Sequence, residues 1–164
     1  MNEYQLVKWL HVLSAAILFG TGIGIAFFTW AGYLWCRRTK ELRALSRILD
    51  LTVVADWVFT APAVLFQFIS GVYLLHAMGM PLLTVWSLLV MSLYLLAGVC
   101  WIPVVMIQYG LRNEARAAAS WDSLGPRFAR MFAWWFWLGV PAFAVVIALY
   151  AIMIAKPWFG AVLQ

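Results

Sequence analysis

His11 and His76 are the only histidines in the chain, and both fall within long apolar stretches. Two neutral imidazoles held from opposite sides by facing helices are the ligand set of a six-coordinate haem iron suited to electron transfer. His11 lies just inside the start of the first apolar run and His76 just before the end of the second. Consecutive spans run in opposite directions, so at 1.5 Å per residue the two differ in depth by about one turn or less. The imidazoles are therefore expected to face each other. An ionisable side chain inside a span marks a functional site by default, although a histidine near an interface also serves by hydrogen-bonding headgroups or carbonyls. Ligation by His11 alone is a third arrangement.

Lys8 precedes His11 by three residues on the same helical face, and Lys156 closes the fourth apolar run on the same side of the membrane. Both are candidate contacts for haem propionates, and each alone is equally explained by snorkelling to the interface. Ser14 is placed to orient the His11 ring from behind. Gln67 lies deeper, where an amide needs an internal partner or a ligand. Asp50 reads as a helix cap. Asp56 falls inside an apolar run and is expected to pair with an arginine of the preceding link. No other acidic residue lies in the middle of a span, so a carboxylate chain for proton-coupled transport is missing.

The elements that must position these residues are membrane helices. Of the 164 residues 66% are hydrophobic and 10% charged, and four uninterrupted apolar runs each exceed the roughly 20 residues needed to cross a bilayer. In hydrocarbon every backbone amide must be paired, and runs of this length without alternation fit helices. The expected spans are 9–35, 51–78, 82–109 and 131–155, forming an all-α, four-helix polytopic membrane bundle. The bundle is expected to be one domain over residues 1–164. Met1 to Gln5 is not basic and the first run is too long for a signal peptide, so the first helix is expected to stay in the mature protein.

The net charge of +5 is informative by position. Arg37, Arg38, Lys40, Arg43 and Arg47 fill the first link, and Arg112, Arg116, Arg127 and Arg130 the third. The positive-inside rule puts both links in the cytoplasm and both termini on the non-cytoplasmic side, with His11 and His76 toward that side. The same rule accounts for the basic residues without nucleic acid, which is not an expected partner. Cys36 and Cys100 have no spacing that marks a disulfide framework or a zinc knuckle. No nucleophile triad, phosphate loop or nucleotide fingerprint occurs, which argues against soluble-type hydrolase or dehydrogenase chemistry.

Within and between the spans, Gly20 and Gly24 form a GxxxG pattern with Gly22 between them, and Ser70 and Gly71 are a second candidate for close helix approach. Pro62, Pro103 and Pro141 are expected to bend their helices. Residues 39–50 read as an amphipathic helix, with Leu42, Leu45 and Leu49 on one side, lying along the headgroups. Pro126 is placed to open the last helix. Several of the 11 tryptophans, among them Trp9, Trp35, Trp57, Trp121 and Trp158, fall near expected interfaces.

The segment VKWLHVLSAAILFGTGIGIAFF, the basic link after it, and DWVFTAPAVLFQFISGVYLL resemble the bacterial membrane family known as domain of unknown function 2269. The likeness runs through the closing IAKPW. More distantly, His11 in its WLH context and the TAP turn at Thr60 to Pro62 resemble HemJ-type protoporphyrinogen oxidases, which bind haem b in a membrane bundle. That resemblance implies His11 as an axial ligand. It does not carry over the lysine early in that family's third helix, where this chain has Trp86 and Ser87, and it assigns no counterpart to His76.

The expected function is that of a haem b protein of the bacterial inner membrane. It would pass single electrons near the non-cytoplasmic face, to a quinone or a partner subunit, with His11 and His76 as ligands. The alternatives are a HemJ-like oxidase of porphyrin metabolism and a cofactor-free accessory subunit or small transporter. A homo-oligomer with haem at its interface would use the same residues.

Overall fold

The computed structural model describes residues 1–155, and within them the chain is helical with short links. Helix α1 spans Glu3–Thr39. Helix α2, Leu42–Ala55, runs without interruption through a π turn, Asp56–Thr60, into α3, Ala61–Ala77. Helices α4, Val85–Ala117, and α5, Pro126–Ile154, complete the set. Four helical segments, counting α2–α3 as one, are long and apolar enough to cross a membrane. They extend beyond the expected limits, chiefly at the basic end. At 1.5 Å per residue α1 is about 55 Å long, well over the hydrocarbon thickness of about 30 Å.

Local chemistry sets the ends. The Asn2 side chain accepts from the Gln5 amide at 2.9 Å, while the Gln5 side chain accepts from the Asn2 amide at 3.1 Å. This reciprocal cap satisfies amides that have no partner at a helix start. At the other end of α1 the chain reverses through Lys40, whose φ of 59° is left-handed, and its amide bonds to the Cys36 carbonyl. The reversal lays α2 directly against α1. A Cβ at Gly32 would come within 2.6 Å of Ile48 Cδ1, so a side chain there would push the end of Ile48 aside. Gly22 is in close contact with Phe143 of α5. Gly20 and Gly24 have no such neighbour, so the glycines that matter for packing are not the GxxxG pair. Pro126 opens α5 as expected.

The densest core lies at the basic end. Leu45 and Leu49 of α2 join Tyr33 and Cys36 of α1, Val104, Leu111 and Ala115 of α4, and Phe128, Phe132 and Trp135 of α5. Tyr33 stacks on Phe132 at 3.9 Å between ring centres. The amphipathic stretch that was expected to lie along the headgroups is therefore the first half of a packed helix. Its apolar stripe is buried in protein, with Leu45 and Leu49 at 0% and 1% exposure. Asp50 is well inside α2 rather than at its start, and forms an ion pair with Arg116 of α4 at 2.7 Å. Arg127 of α5 pairs with Glu114 of α4 at 3.1 Å.

Toward the opposite end the helices separate into two pairs. Helix α3 packs on α1, and α4 on α5. Between α3 and α4 lies a cavity of about 440 Å³, walled by Phe68, Val72, Leu75, Leu88 and Met91, with Ser87 as its polar residue. One tie across this divide is the Tyr94 hydroxyl, which donates to the Val64 carbonyl at 2.6 Å.

Leu111 is fully buried where α4 joins the core. Leu111→Ala is expected to cost about 2–5 kcal/mol through lost contacts and a residual cavity. Thermal unfolding in detergent should show a lowered Tm, and an unchanged Tm would contradict this placement of the core.

Candidate functional site

Along one face of α2–α3 a row of polar residues is buried against α1 and α4. Starting from the basic end, the Thr52 and Thr29 hydroxyls meet at 2.6 Å, and Thr52 also donates to the Ile48 carbonyl at 2.9 Å. Asp56 and Thr60 follow one and two turns later. The Ser14 hydroxyl of α1 then donates to the Ala63 carbonyl at 3.4 Å. The Gln67 amide donates to the His11 carbonyl at 2.6 Å, which supplies the internal partner its depth demands. The row ends at Ser70 and His11.

His11 is the best-defined element of this row. Its Nδ1 lies 2.7 Å from Ser70 Oγ, and Ser70 Oγ lies 2.5 Å from the Phe66 carbonyl. A hydroxyl has one proton, and the carbonyl can only accept, so Ser70 donates to Phe66 and accepts from His11. Nδ1 therefore carries hydrogen. In the neutral ring Nε2 then holds the lone pair, which makes it the coordinating or basic nitrogen. Nε2 makes no hydrogen bond among the described residues and is not a sealed atom. The ring is seated against α3, where a Cβ at Gly71 would be 3.5 Å from His11 Cε1. Ser14, expected to orient this ring, is engaged with α3 one turn away; the orienting residue is Ser70.

His76 does not share this position. His11 is level with Ser70 and Gly71, and His76 is six residues further along α3, or about 9 Å. It is exposed in the last turn before the link to α4. The expected equality of depth assumed that the two apolar runs begin and end level. In fact α1 extends to Glu3, whose carboxylate accepts from Tyr73 at 2.9 Å, so His11 lies more than two turns inside its helix. Lys8 is exposed, with its ammonium 5.9 Å from the centre of the Tyr4 ring. Lys156 lies outside the described residues.

The second concentration of buried polar groups surrounds the π turn. The Ala61 amide reaches back five residues to the Asp56 carbonyl, and Pro62 follows immediately. Proline lacks an amide donor and crowds the preceding turn, and a widened turn relieves that crowding. Asp56 is not paired with an arginine, contrary to expectation: its carboxyl lies beside the Thr60 and Gln108 side chains. The nearest arginines of the link lie beyond the end of its reach, on the first turns of α2, and Arg116 is taken by Asp50. Next to the cluster, Trp57 Nε1 donates to the Tyr109 hydroxyl at 2.6 Å, fixing the π turn against α4. Among the described residues no three His, Cys, Asp or Glu side chains group as metal ligands.

Sequence reasoning missed the roles of Ser70, Thr60 and Gln108. The signal available was spacing: Thr52, Asp56 and Thr60 recur every fourth residue, as do Ala63 and Gln67, which is the mark of one helical face.

Residues 5–157 match the family described as predicted integral membrane protein (DUF2269), and the chain belongs to that family. Neither the curated proteins nor the solved structures contain a match.

Ser70→Ala removes the acceptor that selects the His11 tautomer. A loss of about 1 kcal/mol in stability is expected from the broken hydrogen bond. With only His11 and His76 to observe, nitrogen NMR of histidine-labelled protein should show His11 passing from one tautomer to a mixture. A spectrum unchanged by Ser70→Ala would contradict the hydrogen-bond relay.

Proposed function

We propose that this DUF2269 protein binds haem b at its His11 end, through His11 Nε2, and passes single electrons there to a quinone or a partner subunit. The observation that carries the reading is the Phe66–Ser70–His11 relay. A ligating imidazole works best when its other nitrogen is held by a hydrogen bond, which fixes both tautomer and ring orientation. Ser70 supplies that hold, and Gln67 anchors the backbone of the same residue. A bound haem would supply a one-electron ferric and ferrous couple, tuned by its axial ligand and by burial.

Among the described residues His11 Nε2 would be the one nitrogen to hold the haem iron here. The His11 ring is in contact distance of α3 at Gly71, so a porphyrin has no room between them, and Nε2 is reached from outside the α1–α3 contact. His76, about 9 Å further along α3, is left out of this site, and a second axial imidazole would come from another chain. Lys8 remains a candidate propionate contact because it is exposed on the turn before His11.

Orientation follows from charge. Arg37, Arg38, Lys40, Arg43, Arg47, Arg112, Arg116, Arg127 and Arg130 all lie on the ends of α1, α2, α4 and α5 that meet at one end of the bundle. By the positive-inside rule that end is cytoplasmic, and the His11 end faces the periplasmic side of a bacterial inner membrane. A cofactor-free bundle handling a small ion is the second reading, favoured by the buried Asp56.

Absorption spectra of detergent-purified protein, produced with ample haem and recorded oxidised and reduced, test the proposal. Haem bands are expected in the wild type and in His76→Ala, and their loss in His11→Ala. Ser70→Ala should weaken haem affinity about 10- to 100-fold. A colourless wild-type protein would overturn the haem reading. For orientation, a reporter fused after Gln164 should be active only as a periplasmic reporter, and cytoplasmic activity would reverse the assignment.

A further inference from the structure

The cluster at the π turn is not used by the haem reading, and its chemistry is different. Asp56, Thr60 and Gln108 are 6%, 5% and 3% exposed. Asp56 Oδ2, Thr60 Oγ1 and Gln108 Oε1 are sealed from solvent and none makes a well-formed hydrogen bond. Yet the carboxyl lies beside both other side chains. The ion pairs among the described residues use Asp50, Glu114 and Asp122, so no Lys or Arg there neutralises Asp56. An ionised carboxylate buried without a partner is strongly unfavourable.

We propose that Asp56, Thr60 and Gln108 bind a small monovalent alkali cation through Asp56 Oδ2, Thr60 Oγ1 and Gln108 Oε1. All three atoms are hard oxygen donors, the ligand type of alkali and alkaline-earth ions rather than of thiophilic metals. One carboxylate balances one positive charge. A divalent ion would leave a net charge buried in the span, at a cost of several kcal/mol. The π turn adds to the donor supply, because Pro62 offers no amide to the carbonyls of the preceding turn. The tie between Trp57 and Tyr109, residues adjacent to Asp56 and Gln108, holds the donors of the two helices at a set separation. A proton is the competing occupant, and it would give a neutral acid donating directly to Thr60 or Gln108. Thr60 and Gln108 already lie beside the carboxyl, and Oδ2, Oγ1 and Oε1 are the oxygens left over for an ion to take up.

Thermal unfolding of the full chain in detergent, in lithium, sodium, potassium or choline chloride at equal ionic strength, separates the two. Screening is then the same in every salt. At least one alkali cation is expected to raise the Tm saturably above the value in choline, as for a ligand that binds only the folded state. Asp56→Asn and Gln108→Leu should each lower the apparent affinity for that cation at least about tenfold. If Asp56→Asn does not fold, Gln108→Leu gives the same comparison. Identical Tm values for the wild type in all salts, or full alkali stabilisation retained in the variants, would overturn the site.

Discussion

Hydrocarbon offers no water to a polar group, and that single constraint explains how α1 and α2–α3 meet. Thr29, Thr52, Ser14, Gln67, Ser70 and His11 would each be costly facing lipid. Turned inward, each finds its partner across or along the shared face. The polar row therefore sets the register of the two helices as well as satisfying its members. A shift by one turn would leave His11 without Ser70 and Thr29 without Thr52. Apolar packing alone is a weaker guide, because lipid tails compete with side chains for apolar surface.

The two ends of the bundle use different physics. At the basic end Leu45, Leu111, Phe128 and their neighbours form a close core, and ion pairs such as Asp50–Arg116 and Arg127–Glu114 tie the protruding helices together. At the His11 end α3 and α4 part around an apolar cavity. The closely packed half thus joins a more open half, and the His11 relay sits on the α1–α3 pair that flanks the opening. The π turn lies between the two regimes, where Pro62 interrupts the regular hydrogen-bond ladder.

The helical class and the four spans were legible because hydropathy and run length depend on composition alone. That Gln67 needs an internal partner and that α5 starts at Pro126 were legible, the first from its depth in an apolar run and the second from proline's place at a helix start. Depth was not. Whether His11 faces His76 depends on how far α1 extends past its apolar run, and the polar cap at Asn2 and Gln5 sets that end. The role of residues 42–49 was misjudged because an amphipathic stripe reads alike whether it meets headgroups or a protein core. Gly32, rather than Gly20 or Gly24, marks the close crossing because the crossing depends on the tight reversal at Lys40, which hydropathy does not encode.

The register of α1 on α3 is the claim on which the His11 relay, the depth of His76 and the polar row all rest. Oxidative cross-linking of paired substitutions in the membrane-embedded protein, with Cys36→Ala and Cys100→Ala as background, measures it most directly. Ser14→Cys combined with Ala63→Cys should cross-link rapidly, and His11→Cys combined with His76→Cys should not. Rapid cross-linking of the histidine positions, with none between 14 and 63, would contradict the account.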